Sequence, residues 1–338
     1  MVSIATIKSS NATALPASLP NGLVAVFIGA TSGIGQSALK QLAVAAKGKS
    51  PHFYIVGRSA STSASFVEEL RSIDASSTID FIEKDASLLR HVDEATDFIL
   101  QRENKVDLVF TSIGFISFQG RKETVEGLDP SMTTRFYSRA LAIQKLLPLL
   151  NKSENPHVTN VGAGSQEGAL DMDDLDVAKP GNYSIPRAAV HATTMLTLTL
   201  ERFARENPNI SFVHSFPGLT ATRTLYRGSS GIIGFILQRI VAPLVNTFVS
   251  ASVEDVGARS LFYATNARYT VDATAALSTP IPEGLDKAAT SKEGVFLVNE
   301  KSEGADSEKV LEPLRGENAD KVARHLDETF AIVLKSNQ

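Results

Sequence analysis

The sequence contains no cysteine among its 338 residues. Disulfides, thiolate catalysis and Cys-ligated metal sites are therefore excluded, and the composition is compatible with a reducing compartment, so we expect a cytoplasmic protein. The six histidines lack the paired spacing with carboxylates on one helix face that zinc hydrolases use, and we expect no metal site. The sequence also lacks the nucleophile elbow of serine hydrolases.

The chain also has no large excess of positive or negative side chains. The formal net charge is -4 and the sequence pI is near 5.9, whereas nucleic-acid-binding surfaces need clustered Lys and Arg, so nucleic acid is disfavoured as a partner. Residues 1–22 lack the continuous apolar core of a signal peptide. We interpret them as a surface arm.

A membrane-spanning run is also lacking. Residues 231–249 are almost entirely apolar, but Arg239, Pro243 and two glycines make this stretch a poor membrane span. We predict no transmembrane segment and interpret residues 223–250 as a lid over a substrate site. Peripheral contact of this lid with a membrane surface stays open.

What the sequence does contain is a regular alternation of short apolar runs with helical patterns. Strands are predicted at residues 23–28, 52–56, 78–82, 106–110, 157–161, 210–215 and 295–298, and helices at residues 34–46, 62–73, 88–102, 130–150 and 183–205. Ser252 with Asp255 predicts one more helix, through a capping box. Such alternation predicts an α/β fold: a Rossmann-like, doubly wound parallel sheet of about seven strands, with helices on both faces. We expect one domain over residues 23–300 and a helical tail over residues 301–338.

A glycine-rich turn, GATSGIG at residues 29–35, joins the first predicted strand to the first predicted helix of this pattern. In that context glycines let the backbone approach a pyrophosphate at a helix N-terminus. The turn therefore predicts a dinucleotide site.

With this motif the chain resembles the short-chain dehydrogenase/reductase family, from Leu23 to about Thr222, and looks most like a divergent fungal branch, of the secondary-metabolism type, related to retinol-dehydrogenase-like members. Further landmarks are Asp85, where the family's acid contacts adenine, the partial match at residues 111–114, and the Pro-Gly turn at residues 217–222. The resemblance implies that the cofactor is bound by Gly29, Thr31, Ser32, Gly33, Ile34, Gly35, Arg58, Ser59, Asp85, Ala86, Ser112, Ile113, Gly114, Tyr183, Arg187, Pro217, Gly218, Thr220 and Thr222.

The residues after the second strand bear on the choice of cofactor. Gly57 stands where an NAD-preferring enzyme places an acid for the ribose 2′-hydroxyl. Arg58 follows it and can hold a 2′-phosphate bidentately, which favours NADP(H) over NAD(H). The alternative is an arginine on a solvated turn.

The catalytic pattern that the resemblance implies is incomplete. The family uses a Tyr as acid or base, a Lys four residues later and a Ser; here Tyr183 is present, Arg187 stands in the Lys position, and Ser165 comes about two residues late. Arg187 could still depress the pKa of Tyr183 and reach a ribose hydroxyl. Ser165 could instead bond its own backbone.

Other positions of the family's catalytic pattern also differ in this sequence. Ala163 or Gly162 stands where the family's serine belongs, and Arg135 stands where an assisting Asn usually sits. Tyr137, Arg139 and His191 are weaker polar candidates.

These observations predict an NADP(H)-dependent oxidoreductase that reduces a carbonyl or oxidises an alcohol, with Tyr183 as acid or base. The apolar lid points to a bulky apolar substrate such as a polyketide or terpenoid. A non-redox isomerase, dehydratase or cyclase that retains the nucleotide is the alternative, and a non-catalytic nucleotide-binding regulator is a third hypothesis. Both a monomer and a homodimer are compatible with the sequence.

Overall fold

The computed structural model describes residues 2–115, 117–118, 120–218, 251–272, 278–305 and 307–335. Seven parallel strands form one sheet in the order β3-β2-β1-β4-β5-β6-β7. The strands are β1 (Val24–Ile28), β2 (His52–Gly57), β3 (Thr78–Glu83), β4 (Leu108–Thr111), β5 (His157–Val161), β6 (Ser211–Ser215) and β7 (Val295–Val298). The predicted doubly wound parallel sheet is confirmed, and β7 is its edge strand, as expected.

Helices cover both faces of this sheet. They are α1 (Ile4–Thr13), α2 (Leu15–Ser18), α3 (Gly33–Ala45), α4 (Ala60–Ile73), α5 (Leu89–Leu100), α6 (Pro130–Met132), α7 (Ser138–Leu150), α8 (Ile185–Glu206), α9 (Val253–Thr265), α10 (Glu308–Leu311) and α11 (Glu317–Lys335). One apolar core lies under α5, α7, α8 and α11, and a second lies under α3, α4 and α9. Burial on both faces explains why β1, β2, β4 and β7 are mainly apolar rather than alternating in pattern.

The sheet order places a topological switch between β1 and β4. The chain builds outward from β1 through β2 to β3, then returns to the other side of β1 and continues from β4 to β7. In open α/β sheets, ligands bind in the crevice beyond the carboxyl ends of the strands at this point.

The predicted helix over residues 130–150 is interrupted by a π-helical turn, Thr133–Tyr137, between α6 and α7. Asp129 caps the start of α6, because its Oδ1 accepts the Met132 N–H at 2.9 Å. A π-helical turn shifts the register of the side chains that follow, and such turns often occur at functional sites. This one carries Arg135, whose Cγ lies 3.6 Å from the position that a Cβ on Gly114 would occupy.

The first 22 residues were expected as a surface arm, and the structure differs. Val2, Ile7 and Leu15 are buried, and Asn11 of α1 donates a hydrogen bond of 2.9 Å to the Ala258 carbonyl of α9. The segment is therefore packed into the domain. Its apolar residues follow no regular helical period, so sequence periodicity did not indicate this packing.

The tail after residue 300 is helical, as predicted. Val322, Leu326 and Phe330 of α11 are buried in the same apolar core as residues of α5 and α8. The domain boundaries drawn from the sequence stay a prediction.

The segment interpreted as a lid, residues 223–250, lies outside the described residues. Among the helices that the structure describes, none is long and apolar enough to cross a membrane.

Candidate active site

A cavity of about 1250 Å³ opens at the carboxyl ends of β1 to β4, at the switch point of the sheet. Twelve of the residues predicted to bind the cofactor line it: Gly29, Thr31, Ser32, Gly33, Ile34, Arg58, Ser59, Asp85, Ala86, Ser112, Ile113 and Gly114. These residues come from four separate loops. The parallel sheet brings them together because every strand points its carboxyl end to the same edge.

The glycine-rich turn forms the floor of this cavity. Gly29 (φ +97°) and Gly33 (φ +65°) adopt left-handed backbone conformations that side chains disfavour. Ser32 precedes α3 and makes no side-chain cap hydrogen bond, so the first amides of α3 are not capped by it and can meet an anion. The Ser112 hydroxyl donates to the Gly29 carbonyl at 3.1 Å, which ties this turn to the loop after β4.

The loop after β2 provides the positively charged end of the cavity. Arg58 lies on this loop and is exposed. Lys84, which directly follows β3, lines the same cavity and is paired with Glu94. A Cβ on Gly57 would lie 2.5 Å from Thr31 Cγ2 and 2.8 Å from Phe81 Cζ. No acidic side chain fits at position 57 without a shift of these neighbours.

The loop after β3 carries the only carboxylate among the described lining residues, Asp85. Its Oδ1 accepts the Ser87 N–H at 2.9 Å, and its own N–H donates to His91 Nδ1 at 3.2 Å. The carboxylate is thereby held in a fixed orientation at the cavity wall, with acceptor capacity left over.

At the opposite end, Phe115, Pro130 and Thr134 line the cavity, and two arginines stand behind Gly114. A Cβ on Gly114 would lie 3.6 Å from Arg135 Cγ and 3.8 Å from Arg139 Nη2. This end of the cavity is therefore lined largely by apolar groups, and the side chains of Arg135 and Arg139 lie next to Gly114.

Arg139 is 3% exposed and holds three backbone carbonyls. Its guanidinium donates to Val161 O at 2.9 Å, to Thr134 O at 3.2 Å and to Ile113 O. Burial, followed by the charge of Arg135, lowers the pKa of Arg139 to about 9. Arg139 thus fastens the ends of β4 and β5 to the widened turn of the long helix.

Tyr183 lies just before α8, half-buried against the larger core. Burial raises the pKa of its phenol, the negative charge of Asp129 raises it further, and the positive charges of Arg135 and Arg121 lower it. With a pKa above its usual value, Tyr183 carries its proton at neutral pH.

Arg187 and Ser165, the two residues predicted to act with Tyr183, have other partners. Arg187 is 41% exposed at its side chain and donates to Asp171 Oδ2 at 2.9 Å. Ser165 adopts a left-handed backbone (φ +74°), its N–H donates to Glu167 Oε1 at 3.1 Å, and its hydroxyl lies 3.4 Å from Gln166 Nε2. Neither residue belongs to the described lining of the cavity, and their catalytic roles stay predictions.

The weaker candidates anchor loops. His191 is buried; its Nδ1 bonds the Leu175 carbonyl at 3.0 Å, and its Nε2 accepts the Asp171 N–H at 3.2 Å. The Tyr137 hydroxyl bonds Asp176 and lies 2.6 Å from His325 Nε2 of α11. Both residues fix the loop that precedes Tyr183.

The sequence model of the family described as "short chain dehydrogenase" matches residues 23–229. The chain belongs to this family. It is 42% identical over 341 aligned positions to the "NmrA-like family domain-containing oxidoreductase notO" of an Aspergillus species, covering 100% of this chain and 98% of that protein. It is also 37% identical to an oxidoreductase of Emericella nidulans, covering 93% of each chain.

Solved structures agree with this assignment at the level of the fold. The "RhlG/NADP active-site complex" of Pseudomonas aeruginosa superimposes with a TM-score of 0.55 at 20% identity, covering 80% of this chain and 98% of that one. The short-chain dehydrogenase of Sphingobium yanoikuyae in complex with NADPH superimposes with a TM-score of 0.52 at 17% identity, covering 71% of this chain and 83% of that one. The prediction of an oxidoreductase from a divergent fungal branch of the family is confirmed by the family match and the fungal relatives.

In this short-chain dehydrogenase, five of the residues predicted to bind the cofactor lie within the described chain but outside the described cavity lining: Gly35, Tyr183, Arg187, Pro217 and Gly218. Gly35 packs behind the turn, where a Cβ would collide with Ser112 Oγ. Thr220 and Thr222 lie outside the described residues, so their contact with the cofactor stays a prediction.

Several residues at the cavity were not predicted from the sequence. Lys84 directly precedes Asp85, and Thr62 and Ser63 follow Ser59 on the first turn of α4. Their proximity along the chain to predicted residues was the available signal. Phe115 directly follows Gly114 and shares this signal. Thr134 lies on the π-helical turn, far along the chain from the residues predicted to bind the cofactor.

Proposed function

We propose that this oxidoreductase binds NADP(H) in the switch-point cavity and reduces a carbonyl, or oxidises an alcohol, of a bulky apolar metabolite such as a polyketide or terpenoid. The observation that carries the proposal is the convergence of the glycine-rich turn, Arg58, Asp85 and the loop after β4 on one cavity. A nicotinamide cofactor is the class that the family implies. We also propose a cytoplasmic location, which the lack of cysteine supports.

The preference for the phosphorylated cofactor is supported by charge and by space. Arg58 supplies positive charge on the loop after β2, which suits a ribose 2′-phosphate. An acid that would bond a 2′-hydroxyl has no room at Gly57, because Thr31 and Phe81 occupy the space of a side chain. Both features favour NADP(H) over NAD(H).

The proposed chemistry uses Tyr183 as the acid in the direction of reduction. When bound, the reduced nicotinamide would supply a hydride to the carbonyl carbon. Tyr183 is protonated at neutral pH, since an ordinary Tyr has a pKa of about 10 and burial raises that of Tyr183. It donates its proton to the carbonyl oxygen, and the product is an alcohol. In the oxidation direction the phenolate accepts the proton from the alcohol.

The apolar substrate is supported by Phe115, Pro130 and Ile113, which line the end of the cavity nearest the two arginines. The segment proposed as a lid, residues 223–250, is rich in Ile, Leu and Phe. Apolar walls with few polar groups bind large apolar ligands.

Calorimetry with purified protein tests the cofactor proposal. We expect tighter binding of NADPH than of NADH, and a loss of NADPH affinity of about 10- to 100-fold in Arg58→Glu, as expected when a charged hydrogen bond worth about 1.5–3 kcal/mol is removed. Arg71→Glu, on the exposed side of α4, is the matched control and should bind NADPH like the native protein. Absence of heat with both nucleotides would refute the proposal.

Absorbance of the reduced nicotinamide in the presence of bulky ketones tests the chemistry. Tyr183→Phe should bind NADPH like the native protein while consuming it at least about 100-fold more slowly, as expected for loss of general acid catalysis. Equal consumption by this variant would remove Tyr183 from the mechanism.

A non-redox isomerase, dehydratase or cyclase is the second candidate. The observation in its favour is that Arg187 and Ser165 are engaged with Asp171 and Gln166–Glu167, so the family's Lys and Ser have no equivalent in the arrangement of the described residues. Product formation with unchanged nicotinamide absorbance would support this alternative against the first.

A further inference from the structure

A histidine lies on the face of the C-terminal helix α11 that packs against the domain. Val322, Leu326 and Phe330 of this face are buried and recur every four residues, which is the spacing along one side of a helix. His325 follows Val322 by three residues and therefore lies on the same side, with its side chain 25% exposed. A polar group within an apolar stripe needs hydrogen-bond partners.

His325 finds its partners on the π-helical turn and on the loop before α8. The hydroxyl of Tyr137 lies 2.6 Å from His325 Nε2 and donates to Asp176, whose Oδ1 is 3.5 Å from the same nitrogen. Because this phenol gives its single proton to the carboxylate, its oxygen accepts the Nε2–H of His325. One buried hydroxyl thus joins three elements, and Tyr137 and His325 are 188 residues apart in sequence.

The chain between Asp176 and Tyr183 is short and internally bonded. Asp174 accepts the Ala178 N–H at 2.7 Å and a hydrogen bond from Asn182 Nδ2 at 2.7 Å. Asn182 directly precedes Tyr183. Since closely packed, bonded segments transmit displacements instead of absorbing them, a shift of Asp176 should move Tyr183.

The Tyr137 hydroxyl is also connected to the cavity proposed to bind the cofactor. Tyr137 ends the π-helical turn Thr133–Tyr137, and Thr134 of the same turn lines that cavity. The three bonded side chains therefore link the wall of the cavity to the loop that leads to Tyr183.

We propose that His325 is a positioning residue for Tyr183: by holding the Tyr137 hydroxyl together with Asp176, it sets the loop before α8 and thereby the phenol. The C-terminal helix is then part of the active site. His325 acts through other residues, since it does not belong to the described lining of the cofactor cavity. This inference rests on the proposed function, because it gives His325 its role through Tyr183 as acid or base.

A second cavity makes chemical rescue feasible. It has a volume of about 470 Å³ and lies between the loop before α8 and α11, with Asp176 and His325 in its lining. His325→Ala would leave a hole that opens into this cavity, and the partial exposure of His325 shows that solvent reaches the place. Imidazole added to the solution can enter the hole and donate its N–H to Tyr137.

Fluorine at Tyr183 gives a readout that needs no substrate. We would incorporate 3-fluorotyrosine at position 183 and follow its 19F resonance, which reports the surroundings of the ring. His325→Ala should shift or split this resonance, and imidazole should restore it. His325→Gln should leave it in place, because the glutamine amide can donate from near the position of Nε2. In the double variant Tyr137→Phe/His325→Ala, imidazole should have no effect, since the acceptor is gone.

Turnover gives the second readout. Misplacement of a reacting group by about 1 Å costs up to about 100-fold in rate. NADPH consumption with bulky ketones should therefore fall at least about 10-fold in His325→Ala, whereas the affinity for NADPH, measured by calorimetry, should change much less. Imidazole should restore most of the lost rate.

His52→Ala is the matched control. The His52 side chain is 21% exposed and bonds Asp80 at 3.0 Å and Glu103 at 2.6 Å, so this variant also removes a half-buried histidine with two partners. His52 begins β2, at the end of the sheet opposite the cofactor cavity. The control should leave the Tyr183 resonance unchanged.

A Tyr183 resonance that stays in place in His325→Ala would overturn the inference, even if this variant unfolds at a lower urea concentration. A shift of the same size in His52→Ala, or one that neither imidazole nor glutamine reverses, would also overturn it, because both results indicate general loosening of the fold. A native protein that consumes no NADPH contradicts the proposed function, whereas the fluorine readout does not depend on turnover.

Discussion

The guanidinium of Arg187 donates a hydrogen bond of 2.9 Å to the carboxylate of Asp171, and this pair ties the first turn of α8 to the loop before it. The pair is partly exposed, with 41% of the Arg187 side chain and 27% of the Asp171 side chain accessible, and solvent-screened ion pairs contribute about 0–1 kcal/mol to stability. We therefore expect Arg187→Gln to lower the free energy of unfolding by less than about 1 kcal/mol.

The same variant should change the dissociation constant for NADPH by less than about threefold, or about 0.65 kcal/mol. Urea unfolding and calorimetry measure the two quantities. A tenfold loss of affinity would show that Arg187 leaves Asp171 and reaches the nucleotide when it binds.

Gly57 is enclosed by Thr31 and Phe81, so a methyl group at this position needs both neighbours to move. We expect Gly57→Ala to cost about 1–3 kcal/mol of stability, the usual cost of overpacking a filled site. Its affinity for NADPH should also fall, since Thr31 lines the switch-point cavity proposed to bind the cofactor.

Gly304→Ala is the matched control for this prediction. Gly304 is exposed, and a methyl group added there would lie 3.6 Å from its nearest neighbouring atom, which is ordinary contact. Denaturant unfolding should show little change in this control, and a native-like stability for Gly57→Ala would contradict the crowding inferred at β2.

Glu201 of α8 is 1% exposed and is bonded by Arg315 through Nη2 at 2.7 Å and Nε at 3.1 Å. Removing one partner of a buried ion pair leaves an unpaired buried charge and typically costs about 3–5 kcal/mol. We expect a loss of this size in Arg315→Met by urea unfolding. Arg205→Met, which removes an exposed partner of Glu293, should change stability by less than about 1 kcal/mol.

Arg315 also has an effect that depends on pH. Its hydrogen bonds lower the pKa of Glu308 to about 2. A carboxyl with a lowered folded-state pKa stabilises the fold above its unfolded pKa and loses this contribution as the pH falls through the folded value. The difference in stability between the native protein and Glu308→Gln should therefore shrink between about pH 4.5 and pH 2.

Unfolding in urea at a series of pH values across this window measures that difference. A difference that stays constant as the pH falls would mean that Glu308 does not titrate in the bonded state. Because Glu308 is partly exposed, the effect should weaken in high salt.

Sequence reasoning recovered the parts of this protein that depend on near neighbours in the chain. The turn at residues 29–35 needs glycine at positions with positive φ, and Gly29 and Gly33 have it. Ser252 caps α9 through the Asp255 N–H at 3.0 Å, as the capping-box pattern predicted. The apolar strands and their order of appearance likewise follow from local patterns and from the parallel fold that they imply.

The partners of the long charged side chains could not be derived in this way. A long charged side chain reaches groups far away in sequence, so the partners of Arg187 and Arg139 depend on where the loops at residues 165–184 and 112–115 run. The family spacing placed Arg187 four residues after Tyr183, but spacing does not specify where a flexible guanidinium points.

The amino-acid sequence by itself determined the sheet, the glycine-rich turn and the family, because these follow from periodicity and from glycines at positions with positive φ. The tertiary structure alone decided that residues 2–22 are packed rather than peripheral, and that Arg187 is paired with Asp171. The physical reason is that burial and charge pairing are properties of groups brought together across the fold, and local patterns carry no information on which distant groups will meet.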